Sequence, residues 1–178
     1  MQETPTVGRR ERKKRETRRA LALSARELVV ERGLDEVTVE DVAAAADVSV
    51  RTFFNHFASK DEALVGVEPT ALAELADELR QRPAAEGPAE ALRAFLLDQL
   101  RDEPSARRWQ LRNELVRRYP ALLPRHLAAT VEVEEALAGA LADRSGTDVD
   151  TDPFPRALTA AALAVVRSGL TWWWERAD

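Results

Sequence analysis

The sequence predicts an all-α fold, with three short helices first and about five longer ones after them. Three observations carry this. Ala and Leu dominate a chain that is 45% hydrophobic with only 7 Gly and 9 Pro, a composition that favours helix. Apolar residues recur at helical spacing, with no internal repeat and no strand-like alternation. Capping residues and prolines punctuate the chain at helix-sized intervals.

In chain order, Met1 to Gly8 read as a disordered lead, followed by a dense basic run, Arg9 to Arg19. A first helix is expected over about 15–32, because Leu21, Ala25, Leu28 and Val29 fall at i, i+4, i+7 and i+8. Gly33 suits the C′ position that ends it, with Leu34 supplying the hydrophobic contact. Thr38 to Lys60 follows, reading as two short helices and a turn. Thr38 caps the first, with Asp41 three residues on. Val42, Ala43, Ala45 and Ala46 form a small apolar body, and Asp47 breaks the run. Ser49 caps the second helix, Val50 to Phe57, where apolar Phe53 and Phe57 alternate with Arg51, Thr52, Asn55 and His56. A short polar helix after a small-residue helix and a turn is the helix-turn-helix pattern. With the first helix it makes a three-helix domain over residues 1–60.

Ser59 and Glu62 form a full capping box that opens a helix to about Arg82, with Leu64, Val67, Ala71, Leu75 and Leu79 on one side. Pro69 lies inside that span and kinks or splits it. After the break at Pro83 to Pro88, the next helix runs to about Asp102 with Leu92, Phe95, Leu96 and Leu100 inward. Ser105 to Tyr119 carries Trp109, Leu111, Leu115 and Val116 among many arginines. Leu127 to Ala142 is strongly helical. A polar loop, Arg144 to Asp152, precedes the last helix, where Asp152 caps and Pro153 opens a run from Phe154 to Trp173. Residues 61–178 form the second domain, a helical bundle.

Bulk properties exclude several function classes. No apolar run approaches the roughly 20 residues that span a bilayer. The basic N-terminus lacks the apolar stretch of a secretory signal. Absence of cysteine rules out disulfides and thiolate metal sites, and makes a cytoplasmic location the expectation. Net charge is −5, yet residues 1–26 hold nine Lys/Arg against three Asp/Glu (+6) and residues 27–178 hold seventeen against twenty-eight (−11). Positive charge is concentrated beside the helix-turn-helix, where phosphate contacts need it. Nothing points to an enzyme: there are no paired catalytic groups and no Gly-rich phosphate loop, and His126 has no second histidine or cysteine to make a metal site. No cofactor is expected.

With ERG ending the first helix, TVEDVAAAA, VSVRTFFNHF and SKDEAL together, the stretch resembles the tetracycline-repressor (TetR) family of bacterial regulators, over about residues 15–65. Asp47 stands where the family usually has Gly, and Phe54 where Tyr is common. The resemblance implies a dimer that sets the second motif helix in the major groove of a palindromic duplex operator. The DNA contacts it implies are Thr38, Ser49, Val50, Arg51, Thr52, Phe54, Asn55, His56 and Lys60. Arg51 suits a guanine edge and Asn55 an adenine. Thr38, Thr52, His56 and Lys60 suit phosphates, and Phe54 packing on sugar or backbone.

More weakly, ELVRRYPALLPRHL, ALAGALADRSGTD and DPFPRALTAAALAVVRSGL resemble regulators linked to the mycofactocin system, which implies an acyl-CoA-like ligand. Phe95, Trp109 and Tyr119 are candidates to line an effector cavity, with Arg112 and Asn113 at its polar end. The last two helices are the expected homodimer interface. Small residues there permit close approach, and Trp172 to Trp174 cannot all face one side of a helix. The expected function is a ligand-responsive repressor released from its operator by a small hydrophobic or acyl-CoA-like effector. The alternative is a helical ligand-binding or adaptor protein that does not bind an operator.

Overall fold

The computed structural model describes residues 6–174 and Arg176, and among them the chain is helical with no strand. Nine α-helices and one 3-10 turn follow in order: α1 (Thr6–Arg32), α2 (Val39–Ala45), α3 (Val50–Phe54), α4 (Lys60–Val65), α5 (Pro69–Arg80), α6 (Pro88–Arg101), α7 (Glu103–Arg118), the turn Pro120–Leu122, α8 (Leu123–Ser145) and α9 (Phe154–Trp174). None is long and apolar enough to cross a membrane.

Several boundaries differ from the sequence reading, α7 (Glu103–Arg118) and α8 (Leu123–Ser145) among them. α1 begins at Thr6 rather than near residue 15, so the basic run is helical, and of the expected disordered lead only 1–5 lies outside the described residues. Arg, Lys and Glu are good helix formers, and Arg12 pairs with Glu16 one turn on, at 3.7 Å. Pro69 splits its helix: α4 stops at Gly66, and Pro69 occupies the first turn of α5. A Cβ on Gly66 would meet the Glu62 carbonyl oxygen at 2.5 Å, so the exit from α4 needs glycine. α3 is regular only to Phe54, with Asn55 as its C-cap.

The chain forms two compact units, and they do not divide at residue 60. The first is the chain to Gly66 together with Arg112–Arg125; the second is Val67–Leu111 together with His126 onward. In the first, Leu21, Ala25 and Val29 of α1 pack with Val42, Phe53, Phe57 and Leu64, and Leu115 and Leu122 complete that core. Arg26 Nε, itself buried, donates to the Leu64 carbonyl at 2.8 Å and ties α1 to α4. In the second, Leu79, Leu92, Phe95, Leu96, Leu137, Leu141 and Leu163 form the core. There the Arg144 guanidinium donates to the carbonyls of Arg80, Arg82, Pro83 and Glu86, at 2.7–3.3 Å, and so fastens the α5–α6 loop to the end of α8.

The turn between α2 and α3 is closed by Val48 N–H donating to Ala43 O at 2.9 Å and Asp47 N–H to Ala44 O at 3.1 Å, which is the Schellman pattern. It puts Asp47 in the left-handed region at φ 52. Asp tolerates this better than most residues, but a Cβ there is still a strain of about 1 kcal/mol. Asp47→Gly should therefore stabilise the protein by roughly 0.5–1 kcal/mol, read as a rise in the urea midpoint at unchanged slope.

Candidate nucleic-acid interface

Thr38 and Asp41 build the start of α2 as the sequence predicts. Asp41 N–H donates to Thr38 Oγ1 at 3.1 Å, and Thr38 N–H donates to Asp41 Oδ2 at 2.8 Å. The Thr38 hydroxyl also donates to that carboxylate, at 2.6 Å. Both donors of Thr38 are thus engaged within the cap, and this residue positions α2. The Asp41 carboxyl is held below the usual carboxylate range, first by the Thr38 hydroxyl and then by its amide.

Ser49 caps α3, accepting from Thr52 N–H at 3.1 Å, and its Oγ lies 2.9 Å from Thr52 Oγ1. Val50 is half-buried against the core, and Thr52 is half-buried. Phe53 is fully buried and Phe57 nearly so, their rings 5.5 Å apart. What α3 leaves outward is Arg51, Phe54 and Asn55. These fall at i, i+3 and i+4, one face of a helix, and all three are exposed, Phe54 by 55% while its ring stands edge-on to Phe53. A forked guanidinium, an aromatic and a carboxamide on one short exposed face can bond base edges and pack on sugar. His56 is half-buried beside this face.

Lys60 is engaged within the fold. Its ammonium donates to the carbonyls of Leu34 and Val37, at 2.5 and 2.6 Å, and so closes the α1–α2 loop onto the start of α4. Only one of its three N–H bonds is left over.

Sequence reasoning missed the group that fixes the far end of α3. Arg18 lies 4.0 Å over the Phe57 ring, and its Nη2 is 3.1 Å from Glu62 Oε1, the pair being largely buried. Glu62 makes only half of the expected capping box. Its amide donates to Ser59 Oγ at 3.1 Å, but its own Oε2 accepts from Ala58 N–H at 2.7 Å and not from Ser59. One oxygen thus holds the α3–α4 corner and the other holds α1. The S-x-x-E spacing pointed to Glu62, but nothing local pointed to Arg18, 44 residues away.

The expected effector residues divide between the two units. Phe95 and Trp109 belong to the second unit, Phe95 in its core and Trp109 packed against it; Arg112, Asn113 and Tyr119 belong to the first. An open groove of about 290 Å³ does exist in the second unit, between α6 and α9, lined by Leu92, Leu96, Leu100, Leu158 and Val166 with Arg93. Among the described residues no cluster of His, Asp or Glu is placed to hold a metal ion.

A short helix, α3, packed by Phe53 and Phe57 beside α2 and leaving Arg51, Phe54 and Asn55 exposed has the form of a helix-turn-helix. Residues 23–67 match the family described as bacterial regulatory proteins, tetR family, and residues 86–178 match the MftR C-terminal domain. The HTH-type transcriptional regulator TcmR of Streptomyces glaucescens is 40% identical over 181 residues, which cover 96% of this chain and 79% of that protein. MftR of Mycobacterium tuberculosis, named as a mycofactocin biosynthesis transcriptional regulator, is 31% identical over 148 residues, covering 83% of this chain and 74% of that protein. The chain belongs to the TetR family: it is a DNA-binding transcriptional regulator, not an enzyme.

Two outcomes follow from the geometry. A carboxyl whose pKa is lower folded than unfolded stabilises fully above its unfolded value, near 3.9, and that contribution is lost as pH falls through the folded value. The melting temperature should therefore fall on acidification below about pH 4, and less steeply in Asp41→Asn, in a series of melts against pH. Arg18→Met keeps the apolar stem but removes the guanidinium from which Glu62 Oε1 accepts, and should lower unfolding free energy by about 2 kcal/mol in urea titration.

Proposed function

We infer that this regulator is a repressor that binds a palindromic operator as a homodimer and leaves it when a small hydrophobic or acyl-CoA-like effector binds the second unit. The observation that carries the DNA half is the exposed Arg51–Phe54–Asn55 face, the part of α3 not consumed by the core. On this reading Arg51 takes a guanine edge, Asn55 an adenine, and Phe54 packs on the backbone. Ser49, Thr52 and His56 set register on phosphates, while Thr38 and Lys60 act chiefly by holding α2 and α4 in place.

The homodimer reading rests on exposed apolar residues of the last two helices. Leu127 and Val131 are exposed four residues apart on α8, and Val165 and Trp172 seven apart on α9, with Trp173 also exposed; the Trp174 side chain lies outside the described residues. Helices that leave such residues in water want a partner. Two-fold pairing of copies also supplies the symmetry that a palindrome requires. Sedimentation giving a monomer at micromolar concentration would contradict this.

The effector reading rests on the match to the MftR C-terminal domain and on the α6–α9 groove, whose apolar walls and single Arg93 suit an acyl chain with an anionic head. An effector that prefers a dimer geometry with wrongly spaced heads lowers operator affinity by its difference in affinity for the two states.

The test of the reading head is binding to a duplex that the protein itself selects and to single-base variants of it. Arg51→Ala should cost about 1–3 kcal/mol on the selected duplex and flatten the preference at one base pair. Equal losses on all duplexes would remove Arg51 from base reading.

A further inference from the structure

Thr159 is fully buried on α9, on one stripe with Pro155 and Leu163, and its hydroxyl has no hydrogen-bond partner among the described residues. Other helical threonines close on their own backbone. Thr17, Thr130 and Thr171 each donate to the carbonyl four residues back, at 2.9–3.0 Å. Thr159 makes no such bond. A buried hydroxyl left unpaired costs stability that a valine of similar shape does not. The second unit therefore carries, inside α9, a polar group that its packing does not use.

That group borders the α6–α9 groove. Ala162 and Val166 line the groove from α9. Val166 lies two turns from Thr159 on nearly the same line of the helix, and Ala162 is its neighbour three residues on. Across the groove, Leu92 and Leu96 are buried, while Arg93 is exposed at the rim. Arg101 of the same helix pairs with Asp98 at 3.6 Å, but Arg93 holds no carboxylate among the described residues. The volume, about 290 Å³, is at the small end of the roughly 300–1,000 Å³ of small-molecule sites. Apolar walls, one free cation at the rim and one unpaired hydroxyl beside the floor each ask for a different part of a ligand.

We propose that Thr159 is a specificity-determining residue of this groove, and that the ligand is an oxygenated fatty carboxylate: an apolar chain, an anionic end at Arg93, and a hydroxyl along the chain that pairs with Thr159. This rests on the reading of the α6–α9 groove as the effector site. The threonine hydroxyl can both donate and accept, so it suits a ligand hydroxyl in either sense. A chain without that oxygen leaves Thr159 unpaired in the complex and binds less tightly.

The test is calorimetric titration of the full chain with decanoate and with decanoates hydroxylated near the carboxylate, at mid-chain or at the far end. Wild type should bind one hydroxylated chain about tenfold more tightly than decanoate. Thr159→Val should erase that preference and raise the urea midpoint, whereas Thr159→Ser should keep the preference. Arg93→Gln should weaken every chain alike. A wild type that binds decanoate but prefers no hydroxylated chain overturns the proposal and leaves the effector reading standing. A preference that survives Thr159→Val also overturns it. So does a lower urea midpoint in that variant, because the hydroxyl is then satisfied within the fold. Failure of every chain to bind removes the effector reading of the groove, and the proposal with it.

Discussion

The reading head depends on one ion pair set against an aromatic ring. Arg18 lies over Phe57 and bonds Glu62, and Glu62 turns its other oxygen to the Ala58 amide. α1, the end of α3 and the start of α4 meet at this point. Lys60, two residues before Glu62, closes the α1–α2 loop through the Leu34 and Val37 carbonyls. α3 itself is only 5 residues long and makes too few internal hydrogen bonds to hold its own direction. Its outward face is aimed by what surrounds it: two phenylalanines buried below, a cap at Ser49, and the Arg18–Glu62 corner beyond.

This explains a division of labour that composition hides. The polar residues of Thr38 to Lys60 look alike as candidate DNA contacts. In the folded unit Thr38 and Lys60 spend their donors on backbone and carboxylate, while Arg51 and Asn55 stand outward with Phe54. The latter group is suited to specify bases, and the former to keep them in register.

Much of this was legible from local sequence. The caps at Thr38, Ser49 and Ser59, the glycine end of α1 at Gly33, the break at Asp47 and the burial of Phe53 and Phe57 follow from short-range rules, and the structure contains each. What stayed illegible is long-range. Leu115 and Leu122 complete the first core from the middle of the chain, and no periodicity says which core a leucine joins. Arg18 looked like one more cation of a basic run. Side-chain chemistry alone nominates Phe95, Trp109, Arg112, Asn113 and Tyr119 for an effector, and the fold distributes them over two units while an apolar groove forms from Leu92, Leu96, Leu158 and Val166.

The central claim is that the first unit reads base sequence through α3, in a symmetric pair. Selection from a pool of random duplexes by the full-length protein, followed by sequencing, tests it most directly. The account predicts enrichment of an inverted repeat whose half-sites are one or more helical turns apart, about 34–36 Å per turn. A selected pool indistinguishable from the input would contradict it.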